Sequence, residues 1–160
     1  VTVDSQIDAA LVKAAQNGDQ ASIQLLFERL LPRTRNLVRY LVREDRDVDD
    51  MSQQALLHVW RGLDGYRGDG RFQAYADRIV ARTVFATLRQ RPKETVRLEE
   101  DGEGSQVAAT NVDATTYVQR RELARALDRL PTEQRAALVM HRILGWSVEE
   151  TAREMEVNVE

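Results

Sequence analysis

Apolar residues recur along this chain every three or four positions, the spacing of amphipathic helices. Over Asp47 to Leu63, Val48, Met51, Ala55, Val59 and Leu63 fall on one face. Asp49, Asp50, Gln53, Gln54, Leu57 and Arg61 fall on another, which is too polar to be core. The loop Asp64 to Gly70 follows, with three glycines for a sharply turned backbone. The next helix is expected over about Phe72 to Arg91, with Phe72, Ala76, Ile79 and Thr83 inward. At about 100° per residue, Arg71, Arg78, Arg82 and Arg89 project within about 40° of one another. They form a stripe of guanidinium groups with no acid in it.

Upstream, Ala9, Leu11, Val12 and Ala15 mark a short helix, with Asp8 as its expected N-cap and Asn17-Gly18 as its stop. A second helix begins after Asp19 and spaces Ile23, Leu26, Phe27, Leu30, Leu37, Val38 and Leu41 helically. Pro32 lacks an N–H and is expected to kink or restart it. Four helices with one apolar stripe each are best buried as a small bundle. Downstream of Pro92 the helical pattern resumes near Tyr117, with Val118, Leu123, Ala126, Leu127 and Leu130 on one side as far as Pro131. Another helix carries Ala136, Leu138, Val139, Met140 and Ile143 to Gly145. Ser147 with Glu150 three residues on is a capping box, opening a helix through Thr151, Ala152 and Met155. The fold class is therefore all-α: a four-helix unit over 1–91, a linker over 92–116 and a second helical unit over 117–160.

Composition narrows the function. Aromatic residues are only 6% of the chain, which favours helix over sheet, and no run approaches the ~18 apolar residues of a membrane span. No signal-peptide pattern opens the chain, so a cytoplasmic protein without membrane insertion is expected. The absence of cysteine excludes disulfides and thiolate metal sites. No Ser/His/Asp set, phosphate-cradling loop or metal-ligand spacing is present, so neither an enzyme nor a cofactor is expected. His58 and His141 are isolated, and Trp60 and Trp146 are expected in the core or at helix junctions. The net charge of −3 hides a segregated pattern. Tyr66 to Arg97 holds eight basic and three acidic residues; Leu98 to Thr116 holds five acidic and no basic ones. An acidic, glycine-containing stretch at Glu99 to Ser105 has the composition of a flexible solvated linker, and the basic segment before it makes a local field that total charge does not express.

Three features carry candidate chemistry. The arginine stripe has only Asp77 nearby in sequence to pair with, so a phosphate-facing role outweighs a self-paired solvated face. Asp49 and Asp50 suit a helix N-terminus, but the dipole leaves Gln53, Gln54 and the exposed Leu57 unexplained, and a protein-binding surface explains them. The glycine loop is a plain turn or, beside the arginine helix, a pocket for an unstacked base.

These segments, in this order, resemble bacterial RNA polymerase sigma factors of the extracytoplasmic-function (ECF) subfamily. Asp47-Val48-Asp49-Asp50-Met51-Ser52-Gln53-Gln54-Ala55-Leu56-Leu57-His58-Val59-Trp60 resembles the family's acidic helix. Phe72-Gln73-Ala74-Tyr75 with Arg78-Ile79 and Leu88-Arg89 resembles the signature of the helix that reads the −10 element. Leu130-Pro131, Arg135, Leu138, Gly145-Trp146-Ser147, Glu150 and Ala152 resemble the start of the domain that binds the −35 element. The resemblance implies a region 2 domain over 1–91 and a helix-turn-helix region 4 domain over 117–160. It implies that Asp49, Asp50, Gln53, Gln54, Leu57 and Arg61 meet the polymerase core, at its β′ clamp helices beside the β subunit. It further implies that Tyr66, Arg67, Asp69, Arg71, Arg78, Arg82 and Arg89 meet promoter DNA, with the loop capturing a flipped base. An anti-sigma factor is implied as regulator.

Gln54, Tyr75, Arg82, Ala86 and Glu156 depart from the family's usual glutamate, tryptophan, asparagine, aspartate and glycine. A recognition helix is expected to begin near Val159, so the region 4 unit reads as incomplete, and the opening Val1 as a trimmed start. Two other readings stay open: a helix-turn-helix regulator that acts without docking on polymerase, and a helical protein–protein scaffold.

Overall fold

A computed structural model describes residues 9–91 and 114–158, and every regular element among them is helical. Helix α1 (Ala9–Gln16) buries Val12 and Ala15. The chain then turns at Gly18, whose φ of +87° suits a residue without Cβ. Helix α2 (Gln20–Leu41) is capped by Asp19, whose carboxylate accepts from the Ser22 N–H at 2.8 Å. The cap expected at Asp8 and the linker from 92 to 113 lie outside the described residues.

Helix α2 runs through Pro32 without the restart that the sequence allows. An interior proline costs about 3 kcal/mol. Leu26 and Leu30 before it and Leu37, Val38 and Leu41 after it are all buried, and this shared packing holds both halves in one helix.

Helix α3 (Arg46–Gly62) buries Val48, Met51, Ala55 and Val59, the expected stripe, and Leu63 continues it into a 3₁₀ turn over Leu63–Gly65. Helix α4 (Phe72–Gln90) is rotated from expectation. Phe72 and Ala76 are buried, but Val80, Ala81, Val84 and Phe85 complete the inner face, while Ile79 and Thr83 are only half-buried. The cause is that α4 packs against both α2 and α3, which widens its apolar face beyond one stripe.

The second unit comprises α5 (Ala114–Asp128), α6 (Thr132–Leu138) running into a π-helical turn (Val139–Ile143), and α7 (Val148–Met155). Helix α5 begins at Ala114, ahead of Tyr117. Ala124, Leu127, Ala136, Val139, Met140, Trp146 and Met155 form its core. Val118, Leu123, Leu138 and Ile143, which the sequence groups with these, are exposed. The Ser147–Glu150 capping box is present in both directions, and Gly145 precedes it at φ +72°.

Buried arginines join the two units, which no periodicity predicts. Arg39, 3% exposed, donates to both carboxylate oxygens of Asp128 at 2.9 and 2.7 Å, and Asp45 lies 2.5 Å from its Nε as a close ion pair. Burial works against that charge, but Asp128 and Asp45 outweigh it and raise the Arg39 pKa. Arg135 donates to the carbonyls of Leu127 (2.9 Å) and Leu130 (3.2 Å), satisfying the end of α5, and reaches Leu41 O at 3.4 Å. Burial, only partly opposed by Asp128, pushes the Arg135 guanidinium down to about 10, so it stays charged at neutral pH. Arg43 donates to Leu130 O at 3.1 Å.

Candidate protein and nucleic-acid interfaces

On α3, burial of the apolar stripe turns the opposite side outward. Asp49, Asp50, Gln53, Gln54, Leu57 and Arg61 are all exposed, Leu57 by 56%. Asp49 is held by Arg35 of α2 at 2.7 Å. Trp60 belongs with this face and not with the core. It is 44% exposed and leans on Phe27, ring centroids 5.8 Å apart. Its helical projection falls about 20° from Gln53, a signal that its size and hydrophobicity obscure.

Arg67, Asp69 and Arg71 of the glycine loop are exposed, while Tyr66 is half-buried and serves the loop itself. Its hydroxyl donates to Gly70 O at 2.7 Å, and its ring packs edge-on to Phe72 (5.0 Å) and against Tyr75 (5.3 Å). Gln16 of α1 donates to the carbonyls of Leu63 and Tyr66 at 3.0 and 2.9 Å. The Tyr75 hydroxyl donates to Gly62 O at 2.6 Å. A Cβ on Gly62 or Gly65 would lie 3.3 or 3.1 Å from that hydroxyl, so both glycines permit the close approach. The loop is thus built on an aromatic trio, with its charged side chains outside.

Arg78, Arg82 and Arg89 lie on the outer side of α4 as predicted. Asp77 is turned inward to Arg33 of α2, which leaves the stripe without an acid of its own helix. The second unit supplies acids instead. Arg78 meets Glu150 at 3.0 Å, Arg82 meets Glu154 at 2.7 Å, and Arg89 meets Glu156 at 3.1 Å. The Arg78 guanidinium also lies 5.5 Å from the centroid of buried Trp146. The Ser147 N–H first, and Arg78 second, hold the Glu150 carboxyl below the usual range. These glutamates were invisible to sequence reasoning because they sit some seventy residues from their partners, at separations of 72, 72 and 67.

The family described as Sigma-70 region 2 matches residues 26–94, and that described as Sigma-70, region 4 matches residues 120–160. The chain is similar to the ECF RNA polymerase sigma factor SigM of Mycobacterium tuberculosis (strain H37Rv), 33% identical over 150 residues that cover 94% of this chain and 74% of SigM. It is also similar to the ECF RNA polymerase sigma-E factor of Escherichia coli (strain K12), 29% identical over 162 residues, 95% of this chain and 84% of that protein. Among solved structures, CnrH in complex with the cytosolic domain of CnrY shares the fold, with a TM-score of 0.55 at 22% identity over 93% of this chain and 82% of CnrH. No helix among the described residues is long and apolar enough to cross a membrane.

Proposed function

The chain belongs to the ECF sigma factors of RNA polymerase, and from that premise we propose how its two units divide the work of transcription initiation. A sigma factor directs polymerase core to promoters and itself catalyses no reaction. The unit from the start of the chain to about residue 91 docks on the core and holds the downstream promoter element. The unit from about residue 117 serves the upstream element, with 92–116 as the acidic link between them.

The observation that carries this division is that adjacent helices of one bundle expose opposite chemistry. Helix α3 presents Asp50, Gln53, Gln54 and Arg61 around the exposed apolar Leu57. An apolar centre within a polar rim is the anatomy of a protein-binding patch, and the β′ clamp helices of the polymerase are its proposed partner. Helix α4 presents guanidinium groups, whose multidentate donors suit phosphate. Phosphate contacts position the factor and supply affinity; they carry no sequence information themselves. Sequence selection falls to the loop, where the exposed Arg67, Asp69 and Arg71 neighbour the aromatic trio in sequence and would contact a base drawn out of the stack. The unstacking cost of a few kcal/mol has to be returned by those contacts. A protein that sequesters the factor, an anti-sigma factor, is the proposed regulator; the fold likeness to CnrH bound to CnrY supports this.

Core binding tests the division. The double variant Asp50→Arg with Gln53→Ala changes only exposed side chains, so helix content should be unchanged while affinity for purified core falls by roughly tenfold or more. Unchanged affinity in a folded variant would remove α3 as the docking surface.

A further inference from the structure

Helix α1 belongs to neither proposed interface, yet its last residue reaches into the glycine loop. One side-chain nitrogen of Gln16, Nε2, donates to two carbonyls, Leu63 O at 3.0 Å and Tyr66 O at 2.9 Å. A primary amide nitrogen carries two hydrogens, so both bonds are made at once. The two carbonyls bracket the 3₁₀ turn over Leu63–Gly65, which the Tyr66 N–H closes onto Leu63 O at 3.2 Å. Gln16 stands on a fixed base. Val12 and Ala15 of α1 are buried, and the N–H groups of Asn17, Gly18 and Asp19 close the end of the helix on the carbonyls of Lys13, Ala15 and Ala14 at 3.1, 3.0 and 3.1 Å. From the other side, the Tyr75 hydroxyl holds Gly62 O at 2.6 Å and the Tyr66 hydroxyl holds Gly70 O at 2.7 Å. Much of the segment from Gly62 to Gly70 is exposed, where water satisfies carbonyls unaided. What these side chains add is a fixed backbone path, and Gln16 adds it from 47 and 50 residues away.

We propose that Gln16 is a positioning residue for base selection: from α1 it fixes the turn from Leu63 to Tyr66, and through that turn the path of Arg67, Asp69 and Arg71, in the form that accepts an unstacked base. The inference rests on the reading of the glycine loop as the base-selecting element. A loop that has to be ordered on contact binds more weakly, because the freedom it loses offsets part of the contact energy. That loss falls on the base which the loop reads. Phosphate contacts made from α4 and protein contacts made from α3 do not pass through the turn. Selectivity at one base position therefore depends on the tether, and docking on polymerase core does not. A loop left in the accepting form about one-tenth of the time loses about tenfold in discrimination at that position. The eight residues of α1 then serve recognition as well as the core.

The test uses the full chain bound to purified polymerase core, with a pool of single-stranded DNA of random sequence, about twelve nucleotides long, as the probe. The bound fraction is sequenced, and the enrichment of each base at each position of the shared motif is taken relative to core alone. Arg67→Ala with Asp69→Ala first identifies the position that the loop reads, as the one whose enrichment collapses. Gln16→Met keeps the length of the side chain without a donor. Gln16→Glu sets an ionised carboxylate, which accepts but does not donate, against the same carbonyls. Each variant should lower enrichment at that one position roughly tenfold, with neighbouring positions and core affinity unchanged. A side chain that only stabilises the fold would lower the melting temperature and act on all positions alike. Wild-type enrichment in either variant with normal helix content, an equal loss at every position, or loss of folding by both variants would overturn the proposal while the base-selecting reading of the loop stands. If Arg67→Ala with Asp69→Ala changes no position, that reading is wrong and takes the tether with it.

Discussion

Arg33 of α2 grips Asp77 of α4 with two nitrogens, Nε at 2.9 Å and Nη2 at 2.7 Å from the same carboxylate oxygen. The two ends of this pair differ in burial: the Asp77 side chain is 9% exposed and that of Arg33 48%. Removing the arginine strands a buried carboxylate, whereas removing the aspartate leaves a guanidinium that can turn to water. Arg33→Ala should therefore destabilise the fold by about 2 kcal/mol, and Asp77→Ala by distinctly less. Urea unfolding of the two variants checks the order; equal losses would mean that the pair is held by something other than desolvation of Asp77.

The two tryptophans should behave oppositely. Trp146 is 5% exposed and closes the core of the second unit, so Trp146→Ala should cost about 3 kcal/mol or more. Trp60 stands on the proposed docking face at 44% exposure. Trp60→Ala should change thermal stability little and weaken core binding, as truncation of an exposed aromatic anchor does. Paired melting and core-binding measurements distinguish the two, and a large loss of stability at Trp60 would return it to the structural category.

Two helix caps give the fold an acid limit. The Ser22 hydrogen bonds hold Asp19 below its ordinary 3.8, and the Ser147 N–H, with Arg78 second, holds Glu150 below 4.5. A depressed carboxylate stabilises the folded chain fully above its unfolded-state pKa and loses that contribution as pH falls through the folded one. The first turns of α2 and α7 should therefore be intact from neutrality to about pH 5 and fray below about pH 4. Amide protection at Ser22 and Ser147, followed by NMR across that range, should fall ahead of the buried amides of α3. If Asp19→Asn and Glu150→Gln leave the protection of those two amides and its pH dependence unchanged, the carboxylates contribute nothing there.

Much of this was legible in the sequence where burial contrast is strong. The α3 stripe, the Asp19 start, the Gly18 and Gly145 turns and the Ser147 capping box follow from local chemistry alone, and the structure has each of them. Local rules failed where tertiary packing outweighs them. Pro32 is carried inside α2 because both halves share one buried face. The inner side of α4 is shifted to Val80, Ala81, Val84 and Phe85 because two neighbours, not one, bury it. Nothing local marks Arg39 and Arg135 as buried, since arginines almost never go inside unpaired; carboxylates and carbonyls supplied largely by other elements make their burial tolerable. The stripe of Arg78, Arg82 and Arg89 was found without the glutamates that face it, because i, i+4 reasoning sees partners on one helix and not across two units.

Runoff transcription with purified polymerase core and the full chain tests most directly that this is a promoter-directing factor with its labour split between α3 and α4. On a genomic library of templates, the wild type should yield discrete promoter-specific transcripts. The Asp50→Arg, Gln53→Ala chain should yield none because it forms no holoenzyme, and the Arg78→Glu, Arg82→Glu chain should bind core yet yield none. Full transcript levels from both folded variants would contradict the division of labour, and no specific transcript from any template with the folded wild type would contradict the function itself.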